Sequence, residues 1–127
     1  MPAKRLDGKS CAKDLEERLK VRVSNCKTQP HLAVIIVGDD PASHVYVKNK
    51  ILSCERLGIK SSHIELPAET TQEEIAETIL SLNNDPTLHG ILIQSPLPPH
   101  MDEESLTDLI DPRKDVDGFH PTNLGKI

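Results

Sequence analysis

Tyr46 and Lys50 stand four residues apart in the segment GDDPASHVYVKNK, so a helix there sets a phenol and an amine on one face, about one turn apart. A phenol ring can stack on a flat ligand, and an amine beside it, drawn out of bulk water, is a candidate for acid/base work or for orienting a water molecule. Farther along, Gln94 follows the short apolar run Gly90-Ile-Leu-Ile93, and its carboxamide has the acceptor needed to hold an amine by a hydrogen bond. Asp115-Val-Asp117-Gly118-Phe119 then offers two carboxylates around one valine. Each of these has a plainer reading. Tyr and Lys at this spacing are more often a packing residue and a solvated charge, a glutamine beside prolines can serve loop backbone groups, and an Asp-Gly loop is more often a plain turn. Spacing alone leaves both readings open.

The elements that would have to position these residues can be read from pattern. Cys11, Leu15, Leu19, Val23 and Cys26 recur at spacings of three and four, which predicts an amphipathic helix from about Ser10 to Lys27, ended by Gln29-Pro30. Leu32 to Val37 is an unbroken apolar run closed by Gly38, the pattern of a strand buried on both faces. Asp40 before Pro41 is an N-cap followed by proline at the first helical position, and Gly58 suits a C-terminal cap, which predicts a helix over Pro41 to Leu57. Ser62 to Leu66 reads as a weaker strand. Thr71 and Glu74 form a capping-box pattern opening a helix with Ile75, Ile79 and Leu82 on one side, stopped at Asn83-Asn84-Asp85-Pro86. Gly90 to Ile93 is a short buried strand, and the prolines after it, at 96, 98 and 99, force a stiff loop. Asp102 to Ile110 predicts a short helix, and Asp111 to Ile127 reads as loop.

Strands alternating with helices predict a three-layer α/β/α domain over residues 1–127, with right-handed crossovers and a mostly parallel sheet of about four strands. Ligands of such sheets bind beyond the carboxyl ends of the strands. Those are the segments after Val37 and after Ile93, where Tyr46, Lys50 and Gln94 stand.

Composition narrows the function. A formal net charge of −5 gives no basic face for nucleic acid or an anionic membrane, and the aromatics are one tyrosine and one phenylalanine, too few for a row of base-stacking platforms. No apolar run reaches membrane-spanning length and the start lacks the apolar stretch of a signal peptide, so a cytoplasmic location is expected. The three cysteines, Cys11, Cys26 and Cys54, fit neither a disulfide framework nor a zinc site and are expected to be reduced and buried. The six histidines form no pair at metal-binding spacing, and the six glycines are too scattered for a dinucleotide fingerprint or a phosphate loop. Neither a metal nor a nucleotide site is therefore expected. Asp39-Asp40 is similar to the acidic pair of phospho-receiver domains, but the strand ending at Gln94 carries no phospho-accepting aspartate, and Asp40 is better used as a helix cap.

VGDDPASHVYVKNK, GILIQSPLPPH and PRKDVDGFHPTNLGK, in this order and at these separations, closely resemble the signature segments of the methylenetetrahydrofolate dehydrogenase/cyclohydrolase family. The resemblance runs from LDGK near the start to the final glycine. It implies the folate-binding catalytic domain of a bifunctional enzyme with an amino acid dehydrogenase-like N-terminal fold. NADP would lie on a following Rossmann domain beyond this chain, and the whole enzyme is expected to be a homodimer. Carried over by residue, it implies a folate-stacking tyrosine at Tyr46, a catalytic lysine at Lys50, a supporting glutamine at Gln94 and a pterin-binding aspartate at Asp117, with Ile93 and Ser95 as further substrate contacts. Ser95 departs from the leucine more usual after that glutamine. The chain stops where the family continues into its linker, so an exposed apolar patch is expected.

Overall fold

The computed structural model describes residues 2–127 and has eight elements. These are α1 (Gly8–Ser24), β1 (His31–Val37), α2 (Pro41–Leu57), β2 (Lys60–Leu66), α3 (Gln72–Asn83), β3 (Gly90–Ile93), α4 (Glu103–Leu109) and α5 (Pro121–Leu124). The sheet has strand order β2-β1-β3, with both pairings parallel. A bridge between Ile91 and Asp115 adds the start of a fourth position beyond β3, so the expected sheet of about four strands is three strands and this bridge.

Alternation along β1 divides the core. Ala33, Ile35 and Val37 turn to one face, where they meet Ile75 and Ile79 of α3 and Leu106 of α4, together with Ile91 and Ile93 of β3. Val34 and Ile36 turn to the other, against Val47 and Ile51 of α2 and Leu92 of β3. The central strand is thus covered on both sides, which is why its sequence is apolar throughout rather than alternating. Three layers result: α2, the sheet, and α3 with α4.

The local signals account for the helix ends. Asp40 accepts a hydrogen bond from the Ser43 N–H at 3.1 Å, Pro41 follows it, and Gly58 closes α2 in the left-handed region at φ 81°, where a side chain would be strained. Thr71 and Glu74 form the reciprocal capping box of α3, and Asp102 caps α4.

Three expectations are corrected. Cys54 is buried, but Cys11 and Cys26 are exposed. The cause is the placement of α1, which packs outside α2 rather than on the sheet and buries none of its residues fully, leaving Leu15 57% exposed. Its apolar stripe packs mainly on α2, and Glu16 pairs with Arg56 of α2 at 2.9 Å across that contact. The helix also stops at Ser24, earlier than Lys27, with Asn25 as its C-cap. In the tail, read as loop, the structure contains the single-turn α5, and Val116, Phe119, Leu124 and Ile127 present apolar side chains to solvent.

Candidate active site

Helix α2 returns across the sheet with Ser43, Val47 and Cys54 buried against it. Lys50 lies in the same i, i+3, i+4 row, between Val47 and Cys54, so its stem leaves the helix at the edge of the buried stripe. Its Nζ donates a 2.7 Å hydrogen bond to Oε1 of Gln94. Gln94 is only 8% exposed. Its backbone N–H extends the ladder by donating to the Ile35 carbonyl at 2.8 Å, and its side-chain Nε2 donates to the Ser95 carbonyl at 3.1 Å. The carboxamide is therefore held at both ends, with its oxygen committed to the ammonium, and the orientation of the amide follows from that network.

Asp117 completes the group from the segment that follows α4. Loss of solvent around its carboxyl pushes its pKa up, the Lys50 ammonium acts in the opposite sense, and the charge of Asp115 pushes it up again. Lys50 and Asp117 thus act on each other electrostatically across the gap between α2 and the 115–118 loop. Tyr46, one turn before Lys50, is 56% exposed, which leaves its ring free to receive a flat ligand on an open face. The structure brings Lys50, Gln94 and Asp117 together at one end of the sheet with Tyr46 beside them.

The other two candidates behave differently. Ile93 is buried in the core shared with α3 and α4, so its side chain serves packing. The Ser95 hydroxyl is directed to the Glu103 carboxylate at the start of α4, while its carbonyl accepts from the hydroxyl of Ser43, at 3.2 Å, and from Gln94. Ser95 ties the loop after β3 to both α2 and α4. Sequence reasoning passes over Ser43 and Lys114, and names Asp115 only as one of two candidate carboxylates, without its role in the loop. For Asp115 a signal was present, since Asp three residues before Gly is a common turn arrangement; for Ser43 and Lys114 the partners are distant in sequence and no local signal exists.

A model of the tetrahydrofolate dehydrogenase/cyclohydrolase catalytic domain matches residues 6–117. The chain belongs to this family. Among its relatives, a bifunctional FolD protein of Prosthecochloris aestuarii is 56% identical over 126 residues, covering 96% of this chain and 43% of the relative. One from Levilactobacillus brevis is 54% identical over 125 residues, with the same coverage. The crystal structure of the bifunctional FolD dehydrogenase/cyclohydrolase of Campylobacter jejuni superposes with a TM-score of 0.92 at 45% identity, over 94% of this chain and 43% of that one. That of Trypanosoma brucei, complexed with NADP and an inhibitor, gives 0.90 at 34% identity, over 99% and 44%. The chain spans less than half the length of these relatives. The family match covers Tyr46, Lys50, Gln94 and Asp117, and the α/β architecture is that of FolD.

Proposed function

We propose that this chain is the folate-binding catalytic half of an enzyme that oxidises 5,10-methylenetetrahydrofolate to 5,10-methenyltetrahydrofolate and hydrolyses that product to 10-formyltetrahydrofolate. The observation that carries this reading is the 2.7 Å hydrogen bond from Lys50 to the buried Gln94, within a chain of this family. A lysine held this way has a fixed ammonium position rather than the sweep of a solvated side chain, as a group that orients a reactant requires.

The residues suit the chemistry. A pterin presents adjacent N–H donors on its amino-pyrimidinone edge, and one carboxylate, that of Asp117, can accept both in a charge-assisted pair. Binding would supply hydrogen-bond donors to this carboxylate, which is exposed and open to a ligand in the free chain. Tyr46 stacks on the ring system and keeps it flat. Once the methenyl cation has formed, water must attack its one-carbon bridge, and Lys50, fixed by Gln94, orients that water and manages its proton.

The hydride acceptor supplied when the whole enzyme is loaded is NADP. The first βα turn, where a dinucleotide phosphate would sit on a helix N-terminus, does not fit it here: the Asp40 carboxylate caps α2, Asp39 adjoins it, and Pro41 has no N–H to offer. NADP is therefore assigned to a Rossmann domain outside residues 1–127, and the residues described here are not expected to oxidise the substrate alone. A cytoplasmic, homodimeric enzyme is proposed for the whole.

Lys50→Met in the whole protein is expected to lower cyclohydrolase turnover by about 10²–10⁴-fold, measured as loss of the methenyl absorbance, with tetrahydrofolate binding retained. An unchanged rate would remove Lys50 from the mechanism. Binding of folate with no turnover in the unaltered whole protein would instead make this a folate-binding module.

A further inference from the structure

We infer that Asp115 is a positioning residue for the folate site, holding the 115–118 loop so that the Asp117 carboxylate faces Lys50; this rests on the reading of Asp117 as the pterin-binding group. The hydrogen bonds of Asp115 go to its own loop and the segment after it. Its carboxylate collects the loop: Oδ1 accepts from the Gly118 N–H at 3.1 Å, and Oδ2 accepts from the His120 N–H at 2.8 Å and from Nδ2 of Asn123 at 2.9 Å. These donors lie at and beyond the reversal at Gly118, whose φ of 72° turns the chain immediately after Asp117, so they tie the returning segment back to Asp115. With its two oxygens committed in different directions, the Asp115 carboxylate fixes where Asp117 leaves the backbone.

The backbone of Asp115 is anchored as firmly. Asp115 bridges Ile91 of β3, and the Ile91 N–H donates to the Lys114 carbonyl at 2.7 Å. Gln94 lies three residues beyond Ile91, about 10 Å along the same strand. The partner of Lys50 and the loop bearing Asp117 therefore hang from one rigid element, and their separation is set by the strand rather than by a free loop. Asn123 adds a second tie by also donating from Nδ2 to the Pro112 carbonyl at 2.9 Å. A plain surface turn needs one such bond, whereas here one carboxylate organises Gly118, His120 and Asn123.

The electrostatics give a readout that simple loop stability would not move. Desolvation raises the Asp117 pKa, and the charged groups facing it are Lys50 from α2, which lowers it, and Asp115 from its own loop, which raises it. Removing the Asp115 charge should therefore shift the acid limb of folate binding to lower pH, because binding needs Asp117 ionised.

The test compares Asp117→Asn, Asp115→Asn and Asn123→Ala in the whole protein. Each is assayed for KM and kcat with 5,10-methylenetetrahydrofolate and for tetrahydrofolate binding across pH. Asp115→Asn is expected to raise KM about tenfold with kcat changed much less, as for loss of binding shared by ground and transition states, and to move the acid limb of binding downward. If Asp117→Asn leaves binding unchanged, the reading of the site itself is wrong. If Asp117→Asn weakens binding while a folded Asp115→Asn leaves KM and the pH limb in place, the positioning role is overturned. Should Asp115→Asn fail to fold, Asn123→Ala decides: a raised KM at near-native kcat supports the role, and an unchanged KM overturns it.

Discussion

Gly90 shows how closely the site depends on single atoms. A Cβ built on it would lie 2.6 Å from Cγ1 of Val116 and 3.2 Å from Cδ1 of Leu32. The absence of a side chain at the start of β3 is what lets Val116, between the two aspartates, close over the strand. Its backbone is not in the left-handed region, so the constraint is contact alone. Gly90→Ala is expected to cost about 1–3 kcal/mol by overpacking and to weaken folate binding, because valine is stiff at χ1 and can yield only by moving the loop. Denaturant unfolding of Gly90→Ala, Val116→Ala and the double variant checks this: the double variant should be more stable than the sum of the single changes implies, and strict additivity would refute the contact. The same atoms mark a limit of sequence reading. Gly90 reads there as the opening of a buried strand, and nothing local says that a residue 26 positions later lies on it.

At the scale of elements, what was legible had its cause within a few residues. Asp40-Pro41 and Gly58 bound α2, Thr71 with Glu74 opens α3, and the unbroken apolar run of β1 announces cover on both faces. Lys50 and Gln94 were singled out because a parallel sheet places the ends of β1 and β3 side by side. What was missed depended on neighbours far away in sequence. The period of α1 is clear, but its cover is mainly α2 rather than the sheet, so Cys11 and Cys26 stay exposed. The tail carries no helical pattern in sequence because α5 is one turn long and is fixed by the His120 cap and the Asn123 contacts rather than by periodicity. Lys114 is a further case: its Nζ donates to the carbonyls of Leu82, Asn83 and Asp85 at 3.1, 2.9 and 2.8 Å, closing the carboxyl end of α3, where a cation opposes the helix dipole. Lys114→Met is expected to cost about 1–2 kcal/mol and lower the melting midpoint by several degrees. Arg113→Met next to it should change the midpoint less, since its side chain is exposed and Asp111 keeps the backbone N–H of residue 113 as a donor. Equal midpoints for the two variants would show that Lys114 does not clamp α3.

For the molecule as a whole, five aspartates displaced from the ordinary carboxylate range, Asp85, Asp102, Asp111, Asp115 and Asp117, fall into two groups with opposite pH behaviour. Asp111 is held down to about 2, first by its hydrogen bonds with Arg113; Asp85 and Asp102 are lowered by Thr87 and Ser105. Asp115 is lowered too, because its hydrogen bonds to Asn123 and the loop N–H groups outweigh the desolvation that would raise it. A carboxyl whose folded pKa lies below its unfolded value contributes stability that is complete above the unfolded pKa and is lost as pH falls through the folded one. Stability should therefore decline from about pH 4 towards pH 2. Asp117 runs the other way. Its pKa is raised, so the folded state prefers its proton, and its contribution falls as pH rises through the window between unfolded and folded values. The prediction is that, relative to the unaltered protein, Asp117→Asn should gain more stability at pH 7, where the native carboxylate is charged, than at pH 3, where both side chains are neutral. A gain that is the same at both pH values would mean that Asp117 carries no desolvation penalty in the folded chain. On the proposed reading of Asp117 as the pterin-binding group, the penalty would have a functional sense: paired N–H donors arriving at the carboxylate would offset it, so that part of the stability given up in folding would return as affinity for the pterin edge.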